Sequence, residues 1–330
     1  MSRSDSASEA TAGAEAETTA DSTIDWLADR VLEALTQGHV VAPTALRLLV
    51  RRFASTGRED LGGALGPALA DVLETPATPT TPSTAETLLL LIEALDISAD
   101  EALGEAVTYR AAELRRAWPS RGTVSEAMPG LTACLAAAQL GPDAGLAGAI
   151  DELERIVGII YEPGDGVARE IRAGAARGGL ADHAEVASTL LYAYATTGRV
   201  PYAMLAEELM QVARRAWWDE GSADLAEGPE GLEGVEVLVA PAVRADEPPV
   251  GFAVSCTLVT VLCRLAVLRT TADYRETVAA AAHTDYGTWA SHLIHGLASS
   301  YRPLGHVAAG YGLALDEWVR WRRTERETSL

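Results

Sequence analysis

A helix–turn–helix unit that recurs along the chain limits its fold more than any other feature. One copy runs as an apolar, amphipathic stretch into Thr56-Gly57-Arg58, and another runs into Thr197-Gly198-Arg199; a second amphipathic stretch follows each turn. Glycine at this position supplies the left-handed residue that ends a helix. A helical hairpin cannot bury its apolar face alone, so the unit predicts a stack of helical hairpins.

Weaker copies of the same unit extend the pattern over most of the chain. Their turns fall near residues 98, 142 and 271, and a last helix or helix pair is predicted between His292 and Trp321, which makes about six hairpins. The intervals are irregular and contain long loops, whereas binding solenoids keep a tighter period. We therefore favour an all-α (α/α)6 toroid, complete or degenerate, over an open solenoid for residues 23–330.

The charge of the chain argues against two classes of partner. All 26 basic residues are arginine, lysine is absent, and the formal net charge is -21. Such a surface repels phosphate backbones and anionic lipid heads, so we expect neither nucleic-acid nor membrane binding. A lysine-free acidic surface is typical of halophilic proteins, and codon bias in a GC-rich genome is the alternative explanation. Aromatic residues make up only 5% of the chain, and a core of alanine and leucine favours helices.

Three segments are predicted to lie outside the helical hairpins. Residues 1–22 have the composition of a disordered acidic tail without the apolar core of a signal peptide. A Thr/Pro connector is expected near 75–84. A long acidic loop is expected near 221–250, in which residues 235–239 form either a short strand or a pinned loop. With no apolar run of 18 residues, the chain is predicted to be cytoplasmic.

The three cysteines are predicted to be buried thiols rather than disulfides or metal ligands. Cys256 and Cys263 are seven residues apart in an apolar stretch, so on a helix their Cα atoms lie about 10 Å apart, too far for a disulfide. Cys134 lies in another apolar stretch. This usage is typical of a reducing compartment.

The region from 155 to 320 resembles a known family. The stretch 179–187, the turn Thr197-Gly198-Arg199 and the helix end Trp217-Trp218-Asp219-Glu220 are similar to the helical region of the DUF255-type, spermatogenesis-associated proteins, which carry a fused thioredoxin-like domain. That family belongs to the six-hairpin glycosidase-like superfamily, with the N-acylglucosamine 2-epimerases and several glycoside hydrolases. The resemblance implies an (α/α)6 toroid of carbohydrate-related ancestry, but no reaction.

The chain departs from that family at the positions that carry its motifs. No Cys-x-x-Cys and no thioredoxin-like domain are present, and 250–256 lacks the family's Ser-Gly-Asn-Ser. We therefore favour a degenerate member that acts as a non-catalytic binding or accessory protein, whose partner is a carbohydrate or a separately encoded thioredoxin-like protein. A glycoside hydrolase or sugar epimerase, and a helical-repeat interaction scaffold, are the alternatives. The oligomeric state is not specified by the sequence.

Two acidic residues in one loop are the best candidates for chemistry. Glu162 and Asp165 lie in a segment that starts at Tyr161 and contains two glycines, and two carboxylates there are able to act as general acid and base on a glycosidic bond. Tyr161 would contact the substrate. The alternative is a helix-to-helix turn in which Asp165 accepts backbone hydrogen bonds.

Two further groups of candidates flank the next hairpin. Asp182 begins a helix, where a carboxylate caps free backbone N–H groups, and His183 beside it is a candidate base. Trp217, Trp218 and Asp219 end a helix and would grip a sugar by stacking and hydrogen bonding; packing in the core is the alternative role for the indoles.

A cluster of histidines near the end of the chain does not predict a metal site. His292 and His295 share a helix face, and His306 follows, but no acidic third ligand lies at a useful spacing. We expect neither a metal nor a cofactor.

Overall fold

Helices make up nearly all the regular structure of the chain in a computed structural model, which describes residues 3–75, 82–118, 122–141, 145–217, 248–278 and 284–329. The α-helices are α1 (Arg3–Thr36), α2 (Pro43–Thr56), α3 (Glu59–Glu74), α4 (Pro82–Ser98), α5 (Glu101–Ala117), α6 (Val124–Ala137), α7 (Leu146–Ile160), α8 (Leu180–Thr197), α9 (Val200–Trp217), α10 (Val250–Thr270), α11 (Ala272–Thr277), α12 (Tyr286–Leu297), α13 (Tyr301–Leu304) and α14 (Ala309–Ser329). Short 3-10 turns cover Ala138–Leu140 and Gly305–Ala308, and two-residue strands β1 (Tyr161–Glu162) and β2 (Gly166–Val167) pair antiparallel.

Six helices form a closed inner ring. Helix α2 packs against α4, α4 against α6, α6 against α8, α8 against α10, α10 against α14, and α14 returns to α2. Helices α1, α3, α5, α7, α9 and α12 lie outside them, and α1 also packs against α14. The chain therefore alternates between an outer and an inner helix, which confirms the all-α (α/α)6 toroid, and the first and last hairpins meet.

The turns that revealed the repeat have the backbone that the sequence predicts. Gly57 and Gly198 both have φ 68°, and their N–H groups donate to the carbonyls of Phe53 and Tyr194 at 2.8 and 2.7 Å. These left-handed residues end α2 and α8, after which α3 and α9 run back along the outside.

One helix among the described residues, α10, is long and apolar enough to cross a membrane by length and composition. In this fold 61% of its most apolar window is buried inside the protein. Its neighbours α8, α12 and α14 cover it from three sides, as expected for a helix of the inner ring.

The structure differs from the predicted tail. Helix α1 begins at Arg3, and Glu17 and Ala20 are buried. The acidic residues of this segment have specific partners: Arg326 of α14 donates to Glu17 at 2.5 Å, and Arg52 of α2 donates to Asp21 at 3.1 Å. Residues 15–22, which composition alone assigns to a disordered tail, are thus helical and form ion pairs with α2 and α14.

The other two segments are described only in part. Thr75 ends α3 in an extended conformation and Pro82 begins α4, so the Thr/Pro connector is shorter than expected, with 76–81 outside the described residues. Most of the acidic loop at 221–250, including 235–239, also lies outside them. All three cysteines are buried and none of the three forms a disulfide, as predicted.

Candidate functional site

The predicted acidic loop is a β-hairpin that leans on the outer layer of the ring. The N–H of Asp165 donates to the carbonyl of Glu162 at 3.1 Å, and the N–H of Gly164 donates to the Glu208 carboxylate of α9 at 3.2 Å. Tyr161 bonds to the same carboxylate, and burial together with Glu208 raises the pKa of this phenol to about 12. Glu162 and Asp165 are exposed to solvent at the tip of the hairpin.

His183 and Trp217 pack together beneath this hairpin. His183 is fully buried; its Nδ1–H donates to the carbonyl of Gly179 at 2.8 Å and its Nε2 accepts from the N–H of Val167 at 3.3 Å. The edge of its ring lies against Trp217, with ring centres 5.0 Å apart, and Trp217 is 1% exposed. Burial lowers the pKa of His183 to about 4. Both ring nitrogens are therefore hydrogen-bonded, and the bond at Nε2 holds β2 onto α8.

Gly166 lets the strand approach this histidine. Its φ is +92°, and a Cβ atom built there would lie 2.0 Å from Nε2 of His183. Asp182, which directly precedes His183, accepts from the N–H of Gly179 at 2.8 Å and so caps the start of α8, as the sequence suggests. Trp218 and Asp219 lie outside the described residues.

The structure does not bring the three C-terminal histidines together. His292 and His295 are exposed on α12, and Nδ1 of His295 donates to the carbonyl of Ser291 at 2.6 Å. His306 lies instead in the 3-10 turn before α14, beside His39. Among the described residues, no three His, Cys, Asp or Glu side chains are grouped to hold a metal ion.

A cluster of charged residues lies in the interior of the ring, where the sequence predicted no site. We call it the axial cluster; it comprises Arg47, Arg51, Glu86, Glu93, Glu185, Tyr192, Arg264 and Glu317. Five of the six inner helices contribute. The electrostatic interaction of Arg47 on α2 with Tyr192 on α8 spans the ring, because these helices lie on opposite sides of it.

Ion pairs link neighbouring inner helices through this cluster. Arg47 contacts Glu86 at 2.7 Å and Glu93 at 2.9 Å, and Arg51 contacts Glu93 at 2.7 Å. On the other side, Arg264 contacts Glu317 at 3.1 Å. Burial varies within the cluster: the side chain of Arg47 is 9% exposed and that of Glu317 17%, whereas that of Glu86 is 35% exposed.

The arginines shift the acidity of their partners. Burial raises the pKa of Glu93, but the charges of Arg47 and Arg51 outweigh burial and lower the pKa to about 2. Arg264 lies over the ring of Tyr192 at 4.5 Å and donates to its hydroxyl at 3.3 Å, and this charge lowers the pKa of the phenol. Glu93 is therefore ionised at neutral pH.

Glu185 behaves in the opposite way. Burial, assisted by the negative charges of Glu86 and Asp182, raises its pKa to about 7. In the part of the chain that the structure describes, its carboxyl group has no hydrogen-bond or ion-pair partner. It lies two helical turns before Tyr192 on the same face of α8. This carboxyl is thus available to donate a proton or a hydrogen bond near neutral pH.

The sequence carries a faint signal of this cluster. Single charged residues interrupt otherwise apolar runs, as Glu93 does in Leu88-Leu89-Leu90-Leu91-Ile92-Glu93 and Arg264 does in 258–268. A charge on the buried side of an amphipathic helix is expensive unless it is paired. Such interruptions on several predicted inner helices point to one shared polar interior.

Comparisons with known proteins support the fold. No family model and no curated protein matches the sequence. The crystal structure of an unsaturated glucuronyl hydrolase specific for heparin superimposes with a TM-score of 0.60 at 11% identity, covering 91% of this chain and 98% of that one. The Lin0763 protein from Listeria innocua superimposes with a TM-score of 0.55 at 10% identity, covering 90% and 97%.

These neighbours show the class of the chain at the level of architecture. It has the six-hairpin, glycosidase-like α/α-toroid fold. At such low identity the likeness carries no activity with it. The particular resemblance to the DUF255-type family is not confirmed by these comparisons.

Proposed function

We propose that the chain binds a carbohydrate in the interior of its ring, at the axial cluster. Glu185 is the observation that carries the proposal: a half-buried carboxyl without a partner among the described residues, whose pKa of about 7 keeps it partly protonated at neutral pH. A protonated carboxyl donates a hydrogen bond to a sugar oxygen, and the neighbouring carboxylates accept from sugar hydroxyls. The structural likeness to an unsaturated glucuronyl hydrolase supports a sugar as the ligand class.

A non-catalytic, accessory role fits the remaining carboxylates. Glu86, Glu93 and Glu317 are each held by an arginine, at 2.7, 2.7 and 3.1 Å. Glycoside hydrolysis generally takes two carboxyl groups in distinct roles on either side of the scissile bond. With one unpaired carboxyl in the cluster, binding needs fewer assumptions than cleavage.

Hydrolysis of a glycosidic bond is the second candidate function, because the pKa values of Glu185 and Glu93 differ widely. Two carboxyl groups with pKa values of about 7 and about 2 occupy one interior, and such divergence marks an acid and an anion in many enzymes. In this case Glu185 would protonate the leaving oxygen.

Isothermal titration calorimetry with a panel of neutral and uronate-terminated oligosaccharides tests both candidates. We expect binding by the wild-type chain, loss of at least tenfold in affinity for Glu185→Ala, and unchanged affinity for Glu162→Gln on the outer hairpin. Product analysis on the same panel separates the candidates: sugar release that disappears in Glu185→Gln establishes hydrolysis. Absence of binding across the panel overturns the proposal.

A further inference from the structure

Two histidines face each other where the ring closes. His39 lies in the turn between α1 and α2, and His306 lies in the 3-10 turn before α14, so they belong to the first and last hairpins. Their ring centres are 6.3 Å apart and their planes are inclined by 42°. The 3-10 turn packs against both α1 and α2. The pair therefore spans the seam between the two ends of the chain.

Both imidazoles are free to take a ligand. Within the described residues neither ring has a hydrogen bond or an ion pair; His39 is exposed and His306 is half-buried. The backbone around each is held in place, since the N–H of His39 donates to the carbonyl of Ala34 at 2.9 Å and Gly305 begins a 3-10 turn that includes His306. His39 and His306 thus differ from His183, because both ring nitrogens of His183 are already hydrogen-bonded.

The spacing is close to that of two ligands of one metal ion. A zinc–nitrogen bond of about 2.0–2.1 Å puts each imidazole centre roughly 3.2 Å from the metal, so two rings at the tetrahedral angle have centres about 5.2 Å apart. The observed 6.3 Å is about 1 Å longer than this distance. A small rotation of the exposed His39 side chain brings the pair toward tetrahedral geometry, with water molecules in the other two positions.

We propose that His39 and His306 together bind a divalent transition-metal ion of the zinc class, and that this ion fastens the seam of the ring. Imidazole is a preferred ligand of zinc, nickel and copper. The net charge of -21 raises the local concentration of cations around the protein. This site is independent of the carbohydrate proposed for the interior.

The position of the pair gives the metal a large effect on stability. A cross-link between residues 39 and 306 closes most of the chain into one loop, and the entropy that it removes from the unfolded state grows with loop length. An ion that binds only the folded ring also stabilises it by mass action.

Thermal unfolding of the full-length, chelator-treated chain with and without zinc chloride tests the proposal. We expect zinc to raise the Tm by about 3–6 °C. His39→Ala and His306→Ala should unfold at the wild-type temperature without zinc and show no rise with it. The matched control is the double variant His292→Ala/His295→Ala, which removes the exposed histidine pair on α12 and should keep the full rise.

A second measurement makes the outcome decisive. Competition with a chromophoric chelator should give one zinc ion per chain for the wild type and the α12 control, and at least tenfold weaker binding for His306→Ala. Three results overturn the proposal: no rise in Tm for the wild type, a rise that persists in His39→Ala/His306→Ala, or a rise that depends on a zinc-induced dimer seen by light scattering.

Discussion

The β1–β2 hairpin and the residues His183 and Trp217 beneath it form what we call the hairpin unit. The hairpin unit and the axial cluster combine the same kinds of side chain in opposite ways. In the hairpin unit, His183 is enclosed and both its nitrogens are bonded, while the acids Glu162 and Asp165 remain outside in solvent. In the axial cluster the acids are inside, most are paired with arginines, and Glu185 has no partner among the described residues. The difference teaches that acids close together in sequence are weaker indicators of a site than acids that several helices bring into one interior.

The largest expected effect comes from removing a cation of the cluster. Arg47→Met leaves the carboxylates of Glu86 and Glu93 without their shared partner, and breaking a largely buried ion pair from one side costs about 3–5 kcal/mol. Urea denaturation measures the loss. Arg199→Met, which breaks an exposed pair with Glu154, is the control and should change the free energy of unfolding by less than about 0.5 kcal/mol. Equal effects of the two variants would show that the cluster is as solvated as the surface.

Partial recovery in a double variant sharpens this result. Arg47→Met/Glu93→Gln removes the stranded charge as well as the cation, so it should be more stable than Arg47→Met alone. A double variant that is less stable would mean that Glu93 is held chiefly by Arg51.

The next effect is a pH dependence that originates in the hairpin unit. His183 has a pKa of about 4 in the folded chain against 6.5 as an ordinary histidine, so the unfolded chain binds the proton more tightly. Its contribution to stability is complete above pH 6.5 and is lost as the pH falls toward 4, by about 1.4 kcal/mol per pH unit and on the order of 3 kcal/mol in all. Free energies of unfolding between pH 4 and 8 should show this slope in the wild type. A slope that is unchanged in His183→Gln would contradict the assignment.

Glu185 predicts a smaller dependence of the opposite sign. Its pKa of about 7 exceeds its ordinary 4.5, so the folded chain holds the proton more tightly, and stability falls as the pH rises from 4.5 to 7. After allowance for partial exposure, Glu185→Gln should be more stable than the wild type by about 1–2 kcal/mol at pH 8 and equal to it at pH 4. Guanidinium denaturation at the two pH values measures the difference; no gain at pH 8 would indicate that Glu185 is well solvated.

The smallest effect is expected at the tip of the hairpin. Glu162→Gln and Asp165→Asn alter exposed side chains, and each should change the free energy of unfolding by less than about 0.5 kcal/mol. Thermal unfolding suffices for this measurement. A larger loss, or weakened sugar binding, would return the hairpin to the list of candidate sites.

The fold could be predicted because its signals are local. Gly57 and Gly198 end helices through their own backbone geometry, and the apolar stretches on each side define the hairpins. The axial cluster could not be predicted, because its contacts are long-range. Arg47 contacts Glu93, which is 46 residues away in the sequence, and Arg51 contacts Asp316, which is 265 residues away. The predicted tail shows the same limit, since the partner of Glu17 is Arg326 at the far end of the chain.

The contact between Glu17 and Arg326 also bears on the order in which the hairpins are connected. Because α1 packs against α14 and Glu17 lies 2.5 Å from Arg326, the first and last helices of the closed ring are neighbours. A chain in which a linker joins α14 to residue 15 of α1 would therefore tolerate a backbone break at another connection, such as the exposed turn at Gly198 and Arg199. Such a circular permutant would keep the same neighbours for all six inner helices. In topological terms, packing fixes the order of the hairpins around the ring, whereas any one of the hairpins could come first in the sequence.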